Sequence, residues 1–290
     1  MKIGYPCINR VVGCTSNSGF RLKNYSDKNL IDKVNNNLDC LFKILKWNVD
    51  NNIFFFRISS DLIPFASHPV CSFDWQNFFF DRFVEIGDFI KKNDIRISMH
   101  PDQFVLLNAL KKDIVSRSVK ELFYHCELLD LLGLDSSAKV QIHVGGVYDD
   151  KSESKKRFVD EYKNLDFKIK KRLVLENDHY MYSLSDCLDI SKKVSIPILF
   201  DVFHHKCFNN GESVNSALIS ALNSWNKKDG VVMVDYSSQK KNARLGSHAD
   251  SIDLNDFKNF LKEINGLDCD VMLEIKDKEK SALKALRVVK

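Results

Sequence analysis

A (β/α)8 barrel of the TIM type, with a metal cluster at the C-terminal face of its strands, is the fold class predicted by this 290-residue chain. Three observations carry that prediction. Eight short β-forming runs recur along the whole chain, and the stretches between them show helical spacing. Run after run also ends in a histidine or a carboxylate, as in Ile97-Ser98-Met99-His100, Val140-Gln141-Ile142-His143, Leu173-Val174-Leu175-Glu176 and Ile198-Leu199-Phe200-Asp201. In a barrel of parallel strands such ends converge on one face, so residues far apart in sequence would meet there.

The elements follow in order. The first run spans residues 2–8, and Leu30, Val34, Leu38, Leu41 and Leu45 then mark one face of a helix. The second run, 53–59, is followed by helical spacing at Phe78, Val84, Phe89 and Ile90, and the third, 96–100, by a helix over 115–132. The fourth run, 139–144, precedes a helix over 156–162, the fifth, 172–177, a helix over 185–193, and the sixth, 196–202, a helix over 214–225. The seventh run, 231–237, leads to a helix over 254–264 and the eighth, 270–276, completes the set. Strands alternating with helices imply parallel pairing with helical crossovers. Turns such as Gly145-Gly146 and Asn209-Asn210-Gly211 are too short for domain linkers, so residues 1–290 read as a single domain.

Composition narrows the setting. The 44% hydrophobic content suffices for a large core, and a net charge of +4 permits a polyanionic partner without requiring one. Eight cysteines, at 7, 14, 40, 71, 126, 187, 207 and 269, show no Cys-x-x-Cys spacing, which reads as reduced thiols in a cytoplasmic, nucleoid-associated protein. No apolar stretch reaches 18 residues and the N-terminus lacks a signal-like segment, which argues against membrane insertion and export.

The chemistry lies in the strand ends. Hydrolytic sites for divalent ions need imidazoles and carboxylates whose lone pairs converge while one position stays open. The candidates are His100, His143, Glu176, Asp201 with His204, Asp235, His248 with Asp250, and Glu274. Any one of these is ordinary as a hydrogen-bonded structural residue. Their joint occurrence on successive strands is what points to a metalloenzyme.

These residues, with their neighbours, resemble the UV damage endonucleases, and more distantly the endonuclease IV type of apurinic-site nucleases and the xylose-isomerase-like barrels. The matching segments are Gly4-Tyr5 with Asn9, Ser98-Met99-His100-Pro101-Asp102-Gln103, Ile142-His143-Val144-Gly145-Gly146, Leu175-Glu176-Asn177-Asp178, Phe200-Asp201-Val202-Phe203-His204-His205, Asp235-Tyr236-Ser237-Ser238 and Glu274-Ile275-Lys276. They span nearly the whole chain.

The resemblance implies a metal-dependent DNA repair endonuclease that nicks immediately 5′ of cyclobutane pyrimidine dimers and (6-4) photoproducts, leaving a 3′-hydroxyl and a 5′-phosphate. It implies two or three divalent ions, Mn²⁺ before Zn²⁺ or Mg²⁺. It would place His100 and His143 on one ion, Glu176 as a bridge, Asp201 and Glu274 with Asp235 on a second, and His204 with His248, joined by Asp250, on a third. Glu176, Asp201 and Glu274 would be the catalytic carboxylates. Gln103 and Phe104 would probe the duplex, with Tyr5 and Asn9 beside the distorted site. The implied partner is damaged double-stranded DNA, bound by a monomer.

Basic residues near the expected mouth suit phosphate contacts: Lys240, Lys241 and Arg244 foremost, then Arg10, Arg57 and Lys206. Two departures from the family pattern stand out. Met233-Val234-Asp235 occupies the seventh-strand segment where the family usually carries Lys-x-His, and the aromatic after Gln103 is Phe in place of Tyr. Three other readings stay open at this stage: an apurinic-site endonuclease of the endonuclease IV type, a sugar isomerase, and a noncatalytic lesion-binding barrel.

Overall fold

The computed structural model describes residues 1–289, so Lys290, the last residue of the expected 1–290 domain, lies outside the described residues. Eight parallel strands close a barrel in sequence order: β1 (Ile3–Pro6), β2 (Phe55–Ile58), β3 (Arg96–Met99), β4 (Lys139–His143), β5 (Leu173–Glu176), β6 (Ile198–Asp201), β7 (Met233–Tyr236) and β8 (Asp270–Leu273). Every strand falls inside its sequence-predicted run. The predicted runs were longer because their ends are loop residues that keep β-like composition while leaving the ladder.

Helices surround the barrel: α1 (Asp27–Asp50), α2 (Trp75–Phe78), α3 (Phe80–Lys92), α4 (Lys112–Leu131), α5 (Lys151–Asn164), α6 (Phe167–Lys170), α7 (Leu184–Val194), α8 (Val202–Cys207), α9 (Val214–Leu222), α10 (Leu254–Glu263) and α11 (Glu279–Val289). Three of these, α6, α8 and α11, have no counterpart in the sequence reading. The face of α3 also differs. Its buried residues are Phe83, Ile86, Gly87 and Ile90, whereas Val84 is exposed and Phe78, which ends α2, is exposed too. So many phenylalanines crowd residues 73–89 that more than one apolar stripe can be drawn through them.

Strand parity sets what each side chain meets, because successive residues point to opposite faces. Outward residues such as Tyr5, Phe56, Ile97, Ile142, Leu175, Phe200, Val234 and Leu273 join the helices in one continuous core. The inward residues form layers. At the floor, Arg96 pairs with Asp270 at 2.7 Å and Lys139 with Asp229, all four buried, with Trp225 beneath both cations. Above them Phe55, Val174, Leu199, Met233 and Met272 pack as an apolar ring. Gly4 leaves room at this level, since a Cβ there would clash with the Phe55 carbonyl oxygen. The next inward residues, towards the C-terminal ends, are polar and include Arg57, Gln141, Glu176, Asp201 and Asp235.

The reading of every cysteine as a free thiol is corrected at one pair. Cys14, in the loop after β1, and Cys40, in α1, are joined by a disulfide, their Cα atoms 5.8 Å apart and within bridging reach. The other six are free. Among the described residues, no helix is long and apolar enough to cross a membrane.

Candidate metal centre

Glu176 ends β5 pointing inward, 1% exposed, and three histidines surround its carboxylate. His100 Nε2 lies 3.4 Å from Oε2, His143 Nε2 3.7 Å from Oε1, and His204 Nδ1 3.4 Å from Oε1. Such distances are long for hydrogen bonds, yet near the roughly 3–3.5 Å that separates two donors each about 2 Å from one shared ion. Three overlapping groups of donors follow: His100 with His143 and Glu176, Glu176 with Asp201 and His204, and Asp201 with Asp235 and Glu274. His248 joins from the side, its Nε2 3.8 Å from Glu274 Oε2.

Local structure explains these positions. Asp201 ends β6 and caps α8 at once: its Oδ1 accepts from the His204 backbone N–H at 2.7 Å, which brings Asp201 and His204 to the same spot three residues apart. The Asn177 side chain clamps the tops of β5 and β6, donating to the Asp201 carbonyl and accepting from its N–H, both at 3.0 Å. His100 and His248 each place Nδ1 against a backbone carbonyl, of Pro101 at 2.7 Å and of Glu274 at 2.8 Å. A carbonyl only accepts, so those Nδ1 atoms carry the proton and Nε2 faces the cluster, the arrangement of metal-ligating imidazoles. His204 differs: its Nδ1, the atom beside Glu176, also donates to the Asn177 carbonyl at 3.0 Å, so an ion bound at that nitrogen would have to displace its proton. His143 Nδ1 and Asp201 Oδ2 are buried without hydrogen-bond partners. The residues present therefore fit divalent ions: hard oxygens mixed with oriented imidazoles, and an unmatched buried carboxylate oxygen.

Electrostatics agree. Burial lifts Asp201 to about 7, with His204 acting against it and the carboxylates of Glu176 and Glu274 adding to it. Burial also works upward on Glu176, but His143, His100 and His204 outweigh it and hold it well below the usual range. Burial acts to lower His204, yet Asp201 and Glu176 raise it to about 11. Burial lowers His143. Carboxylates and imidazoles so crowded form a strongly cation-seeking cluster.

A cavity of about 400 Å³ opens above it, lined by His100, Gln103, His143, His179, Tyr180 and His248 among others. Gln103 on its wall is exposed and the next residue, Phe104, is 74% exposed, so neither packs into the core. A second cavity of about 540 Å³ adjoins through Asp102, Val105 and Leu106, with Phe104 on its wall. The loop after β7 doubles back through a bridge between Gln239 and His248 and sets Gly246 against His179 at the mouth, leaving Lys241 and Arg244 exposed beside it.

Several expected positions differ. Asp250 is outside the cluster: the chain bends after His248 instead of staying extended, and Asp250 is exposed and paired with Lys240 at 2.8 Å and Lys276 at 3.1 Å. Tyr5 and Asn9 are buried, Asn9 donating to the Tyr5 hydroxyl and Tyr5 to Asn48 of α1, so they brace the first loop instead of facing DNA. Of the rim cations, Lys206 pairs with Asp256 and Arg10 donates to the Lys276 carbonyl. Arg57 is no rim residue at all. It is 2% exposed inside the barrel, bonded to Asp235, Glu274 and Gln141. Sequence reasoning also missed Gln141 and His179. Gln141 lies two residues before His143 on β4, so strand parity could have found it; His179, in the loop after β5, carries no comparable periodic signal.

The comparisons with known proteins agree with this geometry. The family model described as UV-endonuclease UvdE matches residues 6–290. The chain belongs to the UvdE family. It is 43% identical over 292 residues to the UV DNA damage endonuclease of Clostridium perfringens (strain 13 / Type A), covering all of this chain and 71% of that protein. The crystal structure of SacUVDE is 43% identical, with a TM-score of 0.96 and coverage of 100% and 98% of the two chains. Endonuclease IV from Thermus thermophilus shares the barrel alone, at a TM-score of 0.60 and 17% identity over 86% of this chain and 92% of its own. As a UvdE member the chain is an endonuclease for UV-damaged DNA.

Proposed function

We propose that this UvdE-family chain nicks damaged duplex DNA immediately 5′ of cyclobutane pyrimidine dimers and (6-4) photoproducts, in a reaction that depends on divalent ions, Mn²⁺ first among them. The observation that carries the reading is the convergence of His100, His143 and His204 on the buried Glu176, beneath a cavity lined by exposed Gln103 and adjoined by a second cavity that carries exposed Phe104 on its wall. Ions would be held by His100, His143, Glu176, Asp201, His204, His248 and Glu274. When bound, they supply a water of lowered pKa and charge neutralisation at the leaving 3′-oxygen.

The chain's own groups do the rest. Glu176 stands between two of the donor groups, so one carboxylate fixes both in register. Pro101 and Glu274 carbonyls hold the His100 and His248 rings against rotation. Phe104 can enter the stack where the lesion has weakened it, at a cost of about a few kcal/mol per step, and Gln103 offers a hydrogen-bonding side chain to the vacated position. Lys241 and Arg244 contact backbone phosphates at the mouth.

The deciding experiment incubates the purified protein plus Mn²⁺ with end-labelled duplexes carrying one pyrimidine dimer, an abasic site or no damage, and maps the cut. A nick directly 5′ of the dimer that EDTA abolishes, with a ligatable 3′-hydroxyl and 5′-phosphate, is the expected result. Cleavage of the abasic duplex alone would transfer the chain to apurinic-site chemistry, and binding without cleavage would make it a lesion-binding barrel.

A further inference from the structure

Of the three donor groups, the third differs from the other two. Among the described residues, Glu176 with His100 and His143, and Glu176 with Asp201 and His204, have no protein cation paired with their members apart from the imidazoles themselves. In the group of Asp201, Asp235 and Glu274, a guanidinium already bridges two of the three carboxylates, those of Asp235 and Glu274. Arg57 Nη2 donates to both Asp235 oxygens at 2.8 and 2.7 Å and to Gln141 Oε1 at 2.7 Å, while Nη1 donates to Glu274 Oε1. The Arg57 side chain is 3% exposed and that of Asp235 is fully buried. Burial pushes the Asp235 carboxyl well up and Arg57 works against it, both carboxylate oxygens accepting from the one Nη2 group; a guanidinium is never a metal ligand.

We infer that Arg57 is a built-in cation that takes the place of an ion at the Asp235–Glu274 end of the cluster, so that the centre accepts two divalent ions and not three. The inference rests on the metal-dependent reading above. Three arguments carry it. First, the lone pairs of Asp235 that would bind metal are spent on Arg57, and Asp235 Oδ2 also accepts from Gln141 Nε2 at 2.7 Å. Second, charge balances: in the ligand state that ions would hold, with the four carboxylates of Glu176, Asp201, Asp235 and Glu274 ionised and the imidazoles neutral, these groups and Arg57 carry a net charge of −3. Two divalent ions bring that to +1, which one phosphodiester offsets; a third would leave +3 buried in the barrel, a large desolvation cost. Lys278, nearby, adds no ion pair to these carboxylates among the described residues. Third, the network reaches the other ions. Gln141 accepts from Arg57 and donates to Glu176 Oε2 at 2.7 Å, so the guanidinium orients, through one amide, the carboxylate that the three histidines face. Arg57 is therefore a positioning residue as well as a charge.

Its signature is a metal count. The full-length protein, Arg57→Gln and Arg57→Lys are each saturated with Mn²⁺, freed of excess by gel filtration and measured by mass spectrometry for Mn per chain, with near-UV circular dichroism checking the fold. The expected counts are two for the unmodified protein, three for Arg57→Gln, where Asp235 and Glu274 are released, and two for Arg57→Lys, which keeps the charge. Three ions in the unmodified protein overturn the inference, and that measurement stands even where Arg57→Gln does not fold. A folded Arg57→Gln that stays at two also overturns it. No bound manganese in the unmodified protein fails the metal-dependent reading itself, an outcome distinct from an ion too many.

Discussion

Glu176 carries the heaviest burden of any single side chain, since two donor groups share it and three imidazoles face it. Glu176→Gln keeps the volume and removes the charge. Incision of a dimer-containing duplex is expected to fall by well over the roughly 10–100-fold that follows loss of a ligand's supporting partner, with the circular dichroism spectrum unchanged. Unaltered incision would remove Glu176 from the reaction. On the proposed reading Gln103 and Phe104 belong to the substrate side: the double change to alanine is expected to weaken damaged-duplex cleavage about tenfold or more, given about 1–3 kcal/mol per stacked base, while leaving the Mn²⁺ count intact. Equal cleavage by the double variant would end their role as a probe. At this scale the sequence was a fair guide wherever a residue sits at a strand end, as His100, His143, Glu176 and Asp201 do. It misled wherever a partner far along the chain decides the outcome: Asp250 is claimed by Lys276, Tyr5 by Asn48, and Arg57 by Asp235.

Strands were the most legible elements, because parallel strands buried on both faces read as short apolar runs and polar residues cluster where they end. Helices whose apolar stripe is narrow or short were less so. In α8 the six residues begin directly after β6 and are capped by a candidate ligand, so the run looks like loop until Asp201 is seen to accept from His204. The loop between β1 and α1 holds the one bond the sequence did not announce. Cys14 and Cys40 lie 26 residues apart, and closing a loop of that size contributes about 3 kcal/mol by chain-entropy reasoning. Cys14→Ser with Cys40→Ser is expected to lower the unfolding free energy by up to that amount in urea titrations under oxidising conditions, and to make stability insensitive to reductant. A reductant effect of the same size in both proteins would show that the bridge is not its source.

For the molecule as a whole, acid and metal act on stability through different carboxylates. Burial works upward on Asp130, Asp186 and Asp256, but their hydrogen-bonded lysines, Arg172 and Tyr236 outweigh it and hold all three below the ordinary value. A carboxylate depressed in the fold binds fewer protons there than in the unfolded chain. Its contribution is thus complete above the unfolded pKa of about 4 and is lost as pH falls through the folded value. The melting temperature of metal-free protein is therefore expected to drop on acidification below about pH 4. At neutral pH it should rise with added Mn²⁺ and return on adding EDTA, because ions bind the folded cluster alone. A melting temperature indifferent to Mn²⁺ at pH 7 would contradict the cluster's cation-seeking character.

The floor of the barrel has a bearing on the reaction's water supply. Arg96 with Asp270 and Lys139 with Asp229, roofed by the ring of Phe55, Val174, Leu199, Met233 and Met272, stop the barrel axis from below. Solvent then comes and goes through the mouth, where Phe104 and the loop bearing Arg244 stand. On the proposed reading a duplex lying across that mouth would act as a stopper, so the water that attacks the phosphodiester would already be inside when the strand docks, and the nicked strand would have to lift before the next one could enter.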